Sequence, residues 1–415
     1  MESNYCLGVQ IKKRKSRKNP AATYYKNYEK MKKPIQCGID VLLQQPAAYK
    51  EKRIALVSNN AACTTAGEPS RAALLKQGFR LTKLFSPEHG ISTSGADGAF
   101  QPNGTDELTG LPVISLYGEK LAPTAEDFCD IDLVLFDIPD VGCRFYTYLW
   151  TMTYVMQACA AQQKPFMVLD RPNPIGADLK KAEGPMLDEK NCSSFIGRWN
   201  IPLKHSCTLG ELASYFAATK MKGLDIDVIR VQHYNRQQTA LHDFLFTPTS
   251  PAIRDIETAM LYPGTGLLEG INVNEGRGTD KAFRICGTPW MNHKALKNEL
   301  EKQPLPGLAL TTINYSPDTG IYAGQYCNGL QLHIHDATVF SAVKTGIALL
   351  QSILQLHPQQ VTERLYPTNA NPTGSLHLDK LLGVQHTFTK LQDGQLLQTA
   401  IATEWEMMMK PFLLY

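Results

Sequence analysis

The residues best suited to chemistry stand directly after apolar runs. Glu88 lies between Pro87 and His89-Gly90, at the end of the run Leu81–Phe85. Partial burial of a carboxyl there would raise its pKa, which a proton donor to a leaving oxygen needs; capping of the next turn is the competing reading. His89 suits a structural hydrogen bond as well as it suits catalysis. The run Ile131–Asp137 leads into Asp140, Gly142, Arg144 and Tyr146. Asp137 and Asp140 bracket a turn and are expected either to position substrate hydroxyls or to cap the turn. Arg144 carries the planar fork that fits a ligand carboxylate, with a structural salt bridge as the alternative. The run Pro165–Asp170 leads into Arg171 and Asn173, where Asp170 and Arg171 either meet a ligand or pair with each other. Any one of these is an ordinary turn; together they point to a site.

Far downstream, residues 269–280 gather Glu269, Asn272, Asn274, Glu275, Arg277 and Asp280 among three glycines. Glycine lets the backbone approach a ligand closely. If this ribbon faces the strand ends, the site is a cleft between two domains. Carboxylates, Arg, Tyr, Asn and His in this mixture suit carbohydrate or acid recognition with general acid/base catalysis.

These positions presuppose a parallel sheet. The runs Arg53–Ser58, Leu81–Phe85, Pro112–Leu116, Ile131–Asp137, Pro165–Asp170 and Asp227–Val231 are apolar on both faces, as strands covered on both sides are. Helices are expected between them at Ser70–Gly78, Leu149–Gln163 and Thr208–Met221, the last opening on a Thr208/Glu211 capping-box spacing. Strands alternating with helices imply a doubly wound α/β sheet, which binds ligands beyond the carboxyl ends of its strands. The texture changes near Leu245–Pro251, so we expect a Rossmann-like catalytic domain over 36–245 and a smaller α/β domain over 246–415. The latter carries strands Leu308–Ile313 and Gly329–His335 and a helix Val339–Leu356.

Composition narrows the choice. Of 42 basic residues, ten fall within 1–33 against only Glu2 and Glu29, and the rest of the chain is net acidic. A basic nucleic-acid-gripping body is therefore not expected; residues 1–35 read as a solvated, disordered basic tail. No run approaches the ~20 apolar residues of a membrane span. No apolar segment follows the basic start, so the chain as it stands reads as cytoplasmic. Ten cysteines lie far apart without a C-x-x-C pair, which argues against a zinc knuckle or a disulfide scaffold. No G-x-G-x-x-G, Walker loop, H-E-x-x-H or G-x-S-x-G occurs, so no cofactor and no metal are expected. A sugar- or anion-binding protein without turnover, and a nucleotide-dependent Rossmann enzyme, are the alternatives to an enzyme acting on saccharides.

Ser86–Gly90, Asp140–Tyr148 (DVGCRFYTY), Asp170–Gly176 (DRPNPIG), Glu183-Gly184-Pro185, His205 with Thr208–Ala213 (TLGELA), and Tyr262–Thr279 (YPGTGLLEGINVNEGRGT) together resemble the exo-β-N-acetylmuramidase family, often called NamZ-type. The resemblance runs in order from about Cys37 to Tyr415. It implies a Rossmann-like domain, a smaller C-terminal α/β domain and a cleft between them. It also implies release of N-acetylmuramic acid from the non-reducing ends of peptide-free peptidoglycan glycans, and a cell-envelope or secreted setting. Glu88 is then the leading catalytic group, with Glu269 or Glu275 as the second carboxylate. His89, Asp137, Asp140, Arg144, Tyr146, Asp170, Arg171, Asn173, His205, Asn272 and Arg277 are the expected substrate contacts, with Arg144 and Arg277 as readers of the muramyl carboxylate.

Overall fold

Strand β1 (Ile54–Ser58) reads Ile-Ala-Leu-Val-Ser and is buried along its whole length. Its side chains alternate between two cores: Ala55 and Val57 enter one, Ile54 and Leu56 the other. The same split recurs in neighbouring strands, as the two-residue period of a sheet covered on both faces requires. In a computed structural model that describes residues 33–237, 246–395 and 403–415, β1 is joined by β2 (Leu81–Ser86), β3 (Gly104–Thr105), β4 (Pro112–Ser115), β5 (Leu133–Asp137) and β6 (Phe166–Leu169). A two-stranded ribbon, β7 (Glu183–Met186) with β8 (Pro202–Lys204), precedes the last strand of the large sheet, β9 (Ile226–Ile229).

The sheet runs β3-β4-β2-β1-β5-β6-β9, and every pair is parallel except β3 with β4. The expected doubly wound α/β sheet is thus present. The chain leaves β1 toward β2 and β4, then returns to the other flank of β1 through β5. That reversal puts the switch point between β1 and β5, where ligand crevices open in such sheets. Helix Leu209–Lys220 starts at the expected place, with Thr208 and Glu211 forming the capping box.

The C-terminal part holds an antiparallel sheet in the order β10 (Ile285–Thr288), β12 (Cys327–Ile334), β11 (Leu308–Tyr315). Its helix Ala342–Leu356 crosses helix Ile256–Thr265 at two glycines. A Cβ on Gly264 would sit 2.0 Å from the Ala342 carbonyl oxygen, and one on Gly346 would sit 2.3 Å from the Gly264 carbonyl oxygen. Only glycine permits that approach. Glu183 from β7 caps the same long helix: one oxygen accepts from Ser341 Oγ at 2.7 Å and Val343 N at 2.9 Å, and the other accepts from Lys204 Nζ at 2.7 Å.

The larger core runs from Ala55 and Phe136 through Tyr262, Leu267 and Phe283 to Leu349 and Trp405, and so draws on both expected segments. Ile35–Tyr415 forms one compact unit. The tail, apart from residues 33–35, and the expected boundary at 245 lie outside the described residues. Among the described residues no helix is long and apolar enough to cross a membrane. The described cysteines are free thiols, most of them buried.

Candidate active site

Beyond the carboxyl end of β2 the chain turns sharply through Pro87-Glu88-His89-Gly90, with His89 in the left-handed region at φ 66°. The turn places Glu88 and His89 in the wall of a cavity of about 750 Å³, open solvent included. Another part of the wall comes from the ribbon after helix Ile256–Thr265 and contributes Glu269 and Arg277. Tyr146 also lines it, as do Asp97, Tyr117, Phe195, Tyr262, Phe283, Tyr366, His377 and Lys380. The two motifs that sequence reading set on facing sides therefore share one hollow.

Glu88, His89, Glu269 and Arg277 are each held by partners there. Glu88 Oε1 accepts the Gly98 N–H at 2.7 Å. His89 Nδ1 donates to the Gly95 carbonyl at 2.7 Å, and its Nε2 lies 3.8 Å from Asp97 Oδ1. Arg277 is the hub: its Nε donates to Asp97 Oδ2 at 2.6 Å, and its Nη1 to Glu269 and, at 3.1 Å, to Glu275 Oε1. Its guanidinium also lies over the Phe283 ring, 4.6 Å from the centroid. His377 Nε2 is 3.6 Å from Glu269 Oε2, too long for a hydrogen bond, and its ring stacks on Tyr366 with centroids 4.5 Å apart. Burial pushes the Glu269 carboxyl up, but Arg277 and His377 prevail and hold it down at about 2. Burial, then the neighbouring Glu88 charge, drives the Tyr117 phenol far up.

Other expected site residues lie away from this wall, each for a visible reason. Glu275 stands behind Arg277 and also faces Arg364 Nη1 at 3.4 Å. Asn272 braces a neighbouring loop through the Gln360 carbonyl and the Thr362 N–H. Arg144 is fully buried and donates to the carbonyls of Pro185, Ile201 and Leu381 at 2.8, 2.9 and 3.1 Å, so its fork meets backbone rather than a ligand. Asp137 and Arg171 form a buried pair, Nε to Oδ1 at 2.6 Å. Asp170 forms no ion pair with that guanidinium; its carboxylate accepts from the Arg171 backbone N–H, Thr208 Oγ1, Gly210 N and the Tyr415 hydroxyl. Asn173 closes its own turn through Ile175 N and donates to the Cys207 carbonyl. His205 and Asp140 meet at 3.1 Å, and Asp140 also accepts the Gly142 N–H. These polar groups hold the surrounding loops in shape without lining the cavity.

Sequence reading missed Asp97, Tyr117, Tyr366, His377 and Lys380. Tyr117 directly follows the run Pro112–Leu116, so the rule that found Glu88 reaches it too. The others sit on short loops and a six-residue helix that leave no periodic signal. Among the described residues no three His, Cys, Asp or Glu side chains are grouped to hold a metal ion.

Comparison with known proteins agrees in direction. Residues 54–257 match the family model "Exo-beta-N-acetylmuramidase NamZ, N-terminal" and residues 260–415 its C-terminal counterpart. The chain is 39% identical over 379 residues to the peptidoglycan beta-N-acetylmuramidase NamZ of Bacillus subtilis (strain 168), covering 91% of this chain and 89% of that protein. Two crystal structures of DUF1343 family proteins from Bacteroides fragilis NCTC 9343 share the fold, with TM-scores of 0.78 and 0.69 at 26% and 25% identity. Each alignment spans 92% of this chain and 99% of the other.

Proposed function

The chain belongs to the exo-β-N-acetylmuramidase NamZ family, and from that premise we propose that its cavity hydrolyses the glycosidic bond of a terminal N-acetylmuramic acid in peptidoglycan glycans. The enzyme is a glycosidase, and the finer reading is that it acts on non-reducing ends freed of peptide.

The observation that carries the assignment of roles is that Glu88 and the Glu269–Arg277 ribbon line one cavity. Glu88 gives its proton to the glycosidic oxygen as the bond to the anomeric carbon breaks. Water adds to that carbon, and its proton restores the acid. Glu269 takes a different part. A carboxylate held down by Arg277 and His377 is a weak base, so it faces the positive charge building at the sugar ring without taking up a proton. Tyr117, Tyr262, Phe283 and Tyr366 give the saccharide apolar surface to lie against.

The test is turnover of a chromogenic β-N-acetylmuraminide beside the matching glucosaminide and the natural disaccharide. Wild type is expected to cleave the muraminide. Glu88→Gln is expected to lose about 10²–10⁴-fold on the disaccharide and less on the activated nitrophenyl substrate, which needs little protonation. Turnover of the disaccharide by Glu88→Gln near the wild-type rate would remove Glu88 from the role.

A further inference from the structure

The muramyl sugar differs from its glucosaminyl neighbour by a lactyl ether that ends in a carboxylate. A pocket that tells the two apart needs a cation whose charge is not already spent. Arg277, the obvious candidate by type, is met by Asp97, Glu269 and Glu275 at once. Arg364 faces Glu275, and Arg144 is closed into three backbone carbonyls away from the cavity.

Lys380 differs from all of them. It lines the cavity, and its Nζ donates to the Ser375 carbonyl at 2.8 Å. Among the described residues it forms no ion pair with a carboxylate. Partial burial lowers its pKa, as expected for an ammonium drawn from water without a counter-ion. An incoming anion would relieve that cost, and two of the three ammonium protons remain for it.

The local backbone holds Lys380 in place. It sits on the helix His377–Leu382, whose spacing of three and four residues puts His377, Lys380 and Leu381 on one face, and all three line the cavity. The far end of that helix is pinned by Arg144, which donates to the Leu381 carbonyl and packs against Gly383, itself at φ 77°. A side chain at Gly383 would collide with the Arg144 guanidinium at 2.5 Å. The buried arginine thus positions the lysine.

We propose that Lys380 is the specificity-determining residue of the cavity, pairing with the lactyl carboxylate of N-acetylmuramic acid. The inference rests on the muramidase reading, but its test does not depend on turnover. Calorimetric or NMR titration would compare free N-acetylmuramic acid, its lactyl methyl ester and N-acetylglucosamine on wild type, Lys380→Met and Lys380→Arg. Wild type is expected to favour the acid over both neutral sugars. Lys380→Met is expected to lose roughly 10- to 100-fold on the acid and little on the ester, the scale of one charge-assisted hydrogen bond. Lys380→Arg should keep most of the preference, which shows that the charge rather than the fold was removed. Equal losses on acid and ester, an unchanged preference in Lys380→Met, or wild type that does not distinguish acid from ester would each overturn the assignment. Turnover of the muraminide by wild type is scored separately. Its absence, with the acid preference intact, would strike the hydrolase reading and leave Lys380 as the carboxylate reader.

Discussion

Glu269 shows how one residue's surroundings set its chemistry. Alone in a buried wall it would resist ionisation; beside Arg277 and His377 it ionises more readily than a free glutamic acid. Its folded-state pKa, about 2, lies below the ordinary value of 4.5. The ionised form therefore adds stability that is fully present above pH 4.5 and is lost as the pH falls toward 2. Glu269→Gln should accordingly flatten the acid limb of the stability curve over that window, measured by urea unfolding at stepped pH. A variant curve parallel to wild type would show that Arg277 does not hold the charge in this way. At this scale the sequence was partly legible. Glu88 could be found because it directly follows a buried strand, and Glu269 and Arg277 because so many polar groups among glycines are unusual. Arg144 could not be placed, because a buried arginine bonded to carbonyls and an arginine bonded to a ligand carry the same letter in the same motif. Asp97 and Lys380 gave no local sign at all, since each gains its meaning from partners far away in sequence.

At the scale of elements, one loop decides whether Glu88 is usable. Gly98 supplies the N–H that holds its carboxylate, and it does so at φ 68°. A Cβ there would stand 2.6 Å from Thr368 Cγ2. Gly98→Ala is therefore expected to cost roughly 1–2 kcal/mol of stability through the strained backbone. It should also lower kcat while leaving the fold intact, checked by thermal unfolding beside steady-state kinetics. Wild-type kcat in a destabilised variant would show that this hydrogen bond does not serve the acid. Strands β1, β5 and β6 were readable because burial on both faces leaves unbroken apolar runs, whereas the exposed two-residue β3 left no run to read. Helix Ile256–Thr265 had no sequence signal because it holds Pro263 and Gly264, residues that ordinarily weaken a helix, at the point where it crosses Ala342–Leu356. Strand β10 was hidden by its short Ile-Cys-Gly-Thr sequence, whose pairing with β12 no local pattern announces.

Across the whole molecule, the larger core joins residues from β1 to Trp405 without a break. Trp150, beside Phe216, and Trp405, beside Tyr215, are both fully buried in that core, and the Trp405 indole donates to the His205 carbonyl at 2.9 Å. Unfolding is therefore expected as one transition, with tryptophan fluorescence, far-ultraviolet dichroism and loss of activity falling on the same curve. Two separated transitions would mean that the segments on either side of the expected boundary fold independently. The sheet and its helices were legible at this scale. The shared core was not, because hydrophobic patterning reports that a face is buried and not what buries it.

The cross-ties carry a consequence for inheritance. Asp97 meets Arg277, Glu183 caps a helix more than 150 positions away, and Arg144 grips the backbone at Leu381. Each bond joins a residue from the front of the chain to one from the back. A hybrid that takes its front from one relative and its back from another must match all three contacts at once. Recombination within this lineage should therefore pass the chain on whole.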